Sequence, residues 1–354
     1  MKGTITARSI LISLAAATAF AQAPALPNPS RQRLQADLEC LAGPAMMGRE
    51  TGTLGAVRAA GYVAKEMQDA GLVPIRPEGF GELTPFHFPW TFRGAFGDWL
   101  PAGATAHDVV GILPGNDPAL GAEYVFITAH FDHLGLRGGE LYPGADDNAS
   151  GTAALLETMR LLRHSQPRRT IAFLATSGEE EGLLGSDAFL AKATVPLSAI
   201  KADVNLDMVG RGRKGELHVM PARMKGYITT LTRDAREAAA AHGLQLSAGM
   251  DEFWEDSDHY SFTRRGIPAI SLITGLHEDY HQPTDTPDKI DYAKLEKVVR
   301  IARDLALRTA NSDQPPAAIP AAVWRTWSWG PYRSPETRPL FQQKCLQYPL
   351  DRVF

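Results

Sequence analysis

The chain has 354 residues, 44% of them hydrophobic and 21% charged, a globular composition with room for one large domain or two small ones. A formal charge of -4, with no basic run and no basic–aromatic interleaving, gives no footing for a nucleic-acid partner.

The first residues, "MKGTITARSILISLAAATAFAQA", combine a basic start (Lys2, Arg8), an apolar run from Ile10 to Phe20 and small residues at Ala19 and Ala21. This is the three-part pattern of a secretory signal peptide, with cleavage expected after Ala21. The alternative is an N-terminal membrane anchor, but the apolar run is short for a bilayer. A secreted or periplasmic protein with no stable membrane insertion after cleavage is therefore expected. Residues 22–33 form a Pro-rich leader. Cys40 and Cys345 either staple the start of the domain to its tail or remain two free thiols.

"RQRLQADLECLAG" and "GAVRAAGYVAKEMQDAGL" read as helices, the second stopped by Gly71 and Pro74. Residues 74–106, rich in Gly, Pro and aromatics, read as loop and edge structure. From Val109 onward short apolar runs alternate with helical patterns. "DVVGIL", "EYVFITA", "TIAFLAT", "ADVNLDM" and "PAISLI" read as strands; "NASGTAALLETMRLLRH", "YITTLTRDAREAAAAHGL" and "YAKLEKVVRIARDLALRTA" read as helices. Such alternation implies an α/β sheet covered on both faces, with ligands gathering at the carboxyl ends of its strands. Residues 311–354 form a Pro- and Trp-rich C-terminal extension expected to wrap the domain.

The strand ends carry the chemistry. "EYVFITA" runs into "HFDH" (His130, Asp132, His133) and "TIAFLAT" into "SGEEEG" (Glu179, Glu180, Glu181). Asp207 ends "ADVNL", His281 stands in a loop beyond "PAISLI", and "GADDNASG" sets Asp146 beside Asp147. A histidine at a strand end usually meets a carbonyl, and acidic runs usually face solvent. Several carboxylates and imidazoles on one rim, however, must raise their pKa values or bind cations. Mixed imidazole and carboxylate donors suit zinc, whereas an all-oxygen cage suits calcium.

In order, "HFDH", "GADDNASG", "SGEEEGLLGS", "NLDMVG" and "YHQPTDT" resemble the motifs of the co-catalytic zinc aminopeptidases, peptidase family M28. "MMGRETGT", "DSDHYSF" and "GIPA" extend the resemblance from about Leu34 to Leu307. It implies a catalytic domain over residues 34–310, folded as a three-layer α/β/α sandwich around a mixed, mainly parallel β-sheet. It also implies two zinc ions bridged by Asp146 and a water or hydroxide. His130, Glu180, Asp207 and His281 match the remaining ligands, Glu179 the general base, and Asp132 a carboxylate that orients His130. The family's cis peptide bond falls between the paired aspartates, and Asp147 is left to hold the turn or orient a neighbour.

Two divalent ions lower the pKa of a water, polarise a carbonyl and clamp developing charge, and these are the demands of peptide hydrolysis. Peptides are thus the expected substrates. Asp251, Glu252, Glu255 and Asp256 are candidates to hold a free α-amine. Arg211, Arg213, Arg264 and Arg265 would instead serve the carboxylate clamp of a carboxypeptidase. His133 and His259 either contact substrate or make structural hydrogen bonds. The family's oxyanion tyrosine has no match near "SDH", where Phe253 and Trp254 stand instead. A dipeptidase, a glutaminyl cyclase and a non-catalytic ectodomain are further alternatives.

Overall fold

Nine strands form one sheet: β1 (Val73–Pro74), β2 (Thr84–His87), β3 (Thr105–Leu113), β4 (Tyr124–His130), β5 (Thr170–Thr176), β6 (Ile200–Leu206), β7 (Glu216–Met220), β8 (Gln245–Ser247) and β9 (Ala269–Ile273). The computed structural model describes residues 27–76 and 105–329, with strand segments 84–87, 92–93 and 99–100 between them. The expected signal peptide, Cys345 and the extension beyond residue 329 lie outside the described residues.

The strand order is β1-β3-β5-β4-β6-β9-β7-β8, with β2 paired to β3. Strands β5, β4, β6 and β9 are mutually parallel, while β3 and β7 join this centre antiparallel. The register sets His130 opposite Thr176 and Leu206 opposite Leu272, so the four central strands end at one level. The chain passes from β5 on one side of β4 to β6 on the other. This reversal is a topological switch point, where crossovers diverge and leave a crevice.

Both sheet faces are buried, so the central strands are nearly continuous apolar runs. Val125, Ile127 and Ala129 of β4 pack on one face with α1 (Arg31–Leu41), α2 (Leu54–Asp69), α3 (Gly151–Leu162), α5 (Thr230–Ala241) and α7 (Tyr292–Asn311). Phe126 packs on the other face with Phe189 of α4 (Leu184–Ala191) and Phe262 of α6 (His259–Thr263). The result is an α/β/α sandwich. Helix α2 shows how sequence drives this: Ala56, Ala59, Ala60, Val63 and Met67 recur at helical spacing and form its buried face. Ser30 and Asp291 cap α1 and α7 through their side chains.

Strands β7 and β8, of 5 and 3 residues, are not among the runs that the sequence pattern marks as strands. Past α7, the extension runs beside α5, with Ala317 O accepting from Thr230 N and Ile319 N donating to Ile228 O. Arg236 of α5 lies 4.8 Å and 4.9 Å from the ring centroids of Trp327 and Trp329. These cation–π contacts, with the buried Trp324, give the tryptophans of this segment their place.

On β7, His218 is buried beside Lys294 and Arg213. Burial and those two cations push its pKa from 6.5 to about 4. The folded protein holds it neutral while the unfolded chain protonates it, so its contribution is present above pH 6.5 and lost as the pH falls toward 4. Denaturant unfolding of wild type and His218→Asn should therefore converge with acidification, wild type losing up to about 3 kcal/mol more. Parallel pH profiles would contradict this.

Candidate metal centre

The carboxyl ends of β4, β5, β6 and β9 bring the candidate residues together. His130 is the last residue of β4, Asp207 follows β6, and Glu179 and Glu180 follow β5. His281 lies in the loop after β9 with φ 55°, and Met208 and Arg49 also take positive φ, at 49° and 53°. Side-chain-bearing residues in this left-handed region cost of order 1–3 kcal/mol each, and such strain collects at functional sites.

Two donor clusters result. Nε2 of His130 lies 3.3 Å from Oδ1 of Asp207 and 3.9 Å from Oε2 of Glu179. Nε2 of His281 lies 3.1 Å from Oε2 of Glu180. Between them stands one carboxylate: Asp147, with Oδ1 3.7 Å from His130 Nε2 and Oδ2 3.0 Å from His281 Nε2. His130, Glu179 and Asp207 could hold one cation; His133, Asp147 and Glu180 form a second group.

The expectation that Asp146 bridges the two clusters is therefore corrected. Oδ1 of Asp146 accepts from Gly210 N at 2.7 Å, and Oδ2 lies 3.1 Å from Nε2 of His277. Its carboxylate thus fastens the loop after Asp207 to the loop before His281. The cis bond likewise joins Asp147 to Asn148, not Asp146 to Asp147. Both aspartates are buried, so residue type could not separate them; direction does, and consecutive side chains of this turn point to different loops.

Other buried groups fix the cluster. Asp285, four residues beyond His281, accepts from the N–H groups of Asp146 and Asp147 at 3.0–3.1 Å. Asp132 places Oδ1 3.7 Å from Nδ1 of His130, accepts from Thr51 Oγ1 at 2.9 Å and lies 3.4 Å from the N–H groups of Glu179 and Glu180. Oδ2 of Asp207 accepts from Ser257 Oγ at 2.7 Å, leaving Oδ1 to face His130. Arg49, fully buried, donates to the carbonyls of Leu41, Phe131, Pro143 and Gly144 at 2.6–2.9 Å. Burial lowers its pKa to about 10, with Asp147, Asp132, Asp285 and Glu180 opposing. Asp285 and Arg49 stand inside the quoted motifs "YHQPTDT" and "MMGRETGT", yet nothing in the spacing announces their tasks.

The electrostatics call for a cation. Burial, with Asp207, Glu180 and Asp258, holds Glu179 well above the usual carboxylate range despite His130. Burial would raise Glu180 too, but His281 and His133 outweigh it and hold it well below. Imidazole nitrogens and carboxylate oxygens converging in a buried pocket match the donor preference of zinc.

A pocket opens beside the clusters, lined by His130, Asp147, Glu179, Asp207, His281 and Tyr280 and walled by Met208, Met220, Met250, Phe253, Ile273 and Leu276. Tyr280 is a functional candidate that the sequence reading missed. Its ring stacks on His281 at 3.8 Å, and burial beside Asp147 and Glu180 keeps its phenol protonated, well above its usual range. Trp254, by contrast, packs against Tyr227 and Tyr260 at 4.6 Å and 4.9 Å.

A family model described as Peptidase family M28 matches residues 108–306, more than half of the chain. The chain belongs to peptidase family M28. This M28 chain is 30% identical to aminopeptidase YwaD of Bacillus subtilis over 56% of its length and 43% of that protein. It is 29% identical to leucine aminopeptidase 1 of Arthroderma otae over 56% of its length and 55% of that protein. The chain thus spans about half the length of these curated relatives. Among solved structures, BSAP, a zinc aminopeptidase from Bacillus subtilis, aligns with TM-score 0.65 and 18% identity over 82% of this chain and 97% of that one. A Bacteroides thetaiotaomicron glutaminyl cyclase aligns with TM-score 0.61 and 18% identity over 80% and 99%. These likenesses show a shared zinc-aminopeptidase-like fold, which activity-bearing side chains must then divide.

Asp147→Ala and Asp146→Asn separate the two aspartates. By chelator competition, Asp146→Asn should weaken zinc binding about 10- to 100-fold through loosened loops, and Asp147→Ala by more than that. The reverse order would return the bridge to Asp146.

Proposed function

We propose that this M28 chain is a di-zinc aminopeptidase that removes N-terminal residues from peptides. The observation that carries the reading is Asp147, a single carboxylate facing a His130–Asp207 cluster on one side and a Glu180–His281 cluster on the other. His130, Asp207 and Asp147 would hold one ion, and Glu180, His281 and Asp147 the other. Zinc, when bound, supplies Lewis acidity, lowering the pKa of water and offsetting negative charge on the attacked carbonyl oxygen.

The chain's own groups do the rest. Glu179 lines the pocket and is the base: its carboxylate takes a proton from the attacking water and returns it to the leaving nitrogen. Asp132 holds the backbone of that turn and faces His130, fixing both at once. Tyr280 lines the pocket and is the phenol assigned to donate to the developing oxyanion. The methionine-rich wall takes an apolar side chain, and its flexible thioethers tolerate different shapes.

Amine-end recognition follows from which charges are spent. Arg211 pairs with Asp279 at 2.6 Å, and Arg264 and Arg265 both pair with Asp187. Among the described residues no arginine lines the pocket, so a carboxylate clamp has no support there. Of the four acidic candidates, Asp251 accepts from Ala222 N and Arg223 N, whereas Asp256 lines the pocket. Asp256 is accordingly the acceptor for the substrate's α-ammonium. The signal-like first 21 residues support a secreted or periplasmic setting.

Mass spectrometry of free, N-acetylated and C-amidated peptides tests the reading. Loss of single apolar residues from free N-termini, abolished by chelation and restored by zinc, is expected; trimming confined to free C-termini would contradict it. Glu179→Gln should keep its zinc and lose about 10²- to 10⁴-fold in kcat. Undiminished turnover would remove Glu179 from the base role. Asp256→Asn should raise KM for free-amine peptides about 10-fold or more while sparing kcat, consistent with one lost charge-assisted contact.

A further inference from the structure

His133 stands outside the expected ligand set, yet its imidazole is fully buried against it. Its Nδ1 lies 2.8 Å from Oε1 of Glu180, while the other oxygen of that carboxylate, Oε2, lies 3.1 Å from Nε2 of His281. Oδ2 of Asp147 is more distant from Nδ1, at 3.8 Å. The two oxygens of Glu180 therefore face different imidazoles.

We propose that His133 is a positioning residue: its Nδ1–H donates to Oε1 of Glu180 and turns Oε2 toward the ion shared with His281, while His133 itself binds no metal. This rests on the reading of Glu180 and His281 as ligands. The 2.8 Å separation is an ordinary charge-assisted hydrogen-bond length. The tautomer argues the same way. Nε2 of His133 is buried without a hydrogen-bond partner. If Nδ1 bound metal, the ring proton would sit on Nε2 as an orphaned donor, the rarer kind of buried polar group. With the proton on Nδ1, the orphan is only an unused lone pair.

The ring is held in place. The backbone N–H of His133 reaches Arg49 O at 3.4 Å, and the edge of its ring meets His281 at a centroid distance of 5.8 Å. A Cβ on Gly144 would come within 2.4 Å of ring carbons Cγ and Cδ2, so this seat exists only beside glycine. A carboxylate fixed by one oxygen presents the other in a single orientation, and outer hydrogen bonds of this kind typically set about 10- to 100-fold in metal affinity.

His133→Ala removes the donor; His133→Asn keeps an amide N–H near the Nδ1 position but is a poor zinc ligand. Chelator competition should show the alanine variant binding zinc about 10- to 100-fold more weakly and the asparagine variant recovering most of that loss. The cobalt-substituted asparagine variant should keep the wild-type absorption bands, because no ligand is missing. In zinc-loaded wild type, nitrogen-15 NMR should find the proton of His133 on Nδ1, a readout that needs no folded variant. A bare Nδ1, an asparagine variant as defective as alanine with shifted cobalt bands, or an alanine variant of wild-type affinity would each overturn the proposal. The ligand reading fails separately, if Glu180→Ala and His281→Ala leave zinc affinity unchanged.

Discussion

The fold is organised around one electrostatic constraint: a set of carboxylates buried at the ends of parallel strands, in a crevice that water barely reaches. Asp132, Asp146, Asp147 and Asp285 are all nearly inaccessible to solvent. A buried carboxylate stays charged only with a cation or several hydrogen-bond donors, and otherwise takes up a proton. Among the described residues Arg49 is a fully buried cation within reach, and its guanidinium is spent on four carbonyls of the loops that surround the cluster. It moderates the field of the site without pairing any ligand directly. The charge of the inner carboxylates is of the kind that divalent cations balance.

The carboxylates divide by what their oxygens meet. Those of Asp146 and Asp285 meet backbone N–H groups and an imidazole, and they tie the Asp147 turn to the loops after β6 and β9. Those of Asp147, Asp207 and Glu180 keep at least one oxygen turned to a histidine at the pocket. Loops carrying ligands from four strands would otherwise move independently. Bonded to one another, they present a preorganised site, which is what electrostatic catalysis requires. The strain stored at His281 and Met208 is sustained by that same bonding.

Much of this was legible in the sequence. The strand runs around "EYVFITA", "TIAFLAT" and "PAISLI" were apolar enough to declare a sheet buried on both faces, and the polar residues just past them located the site. His130, Glu179, Glu180, Asp207 and His281 converge because strand ends do. What sequence could not resolve was direction within a turn: Asp146 and Asp147 are identical in kind and adjacent, and only the backbone path decides which one faces the pocket. Arg49 and Asp285 act across 95 and 139 residues of separation, which no local pattern encodes. Tyr280 was hidden in plain view beside His281, because stacking is a property of the loop's conformation. Trp254 is the converse case, a residue near the motif in sequence whose ring is engaged by Tyr227 and Tyr260.

The bridging role proposed for Asp147 turns on where bound zinc would sit. Crystals of the zinc-loaded protein, measured on both sides of the zinc absorption edge, would locate them by anomalous scattering. Two peaks are predicted, on opposite sides of the Asp147 carboxylate, one beside His130 and Asp207 and the other beside Glu180 and His281. A single peak, or a peak coordinated by the carboxylate of Asp146, would contradict the assignment at its centre.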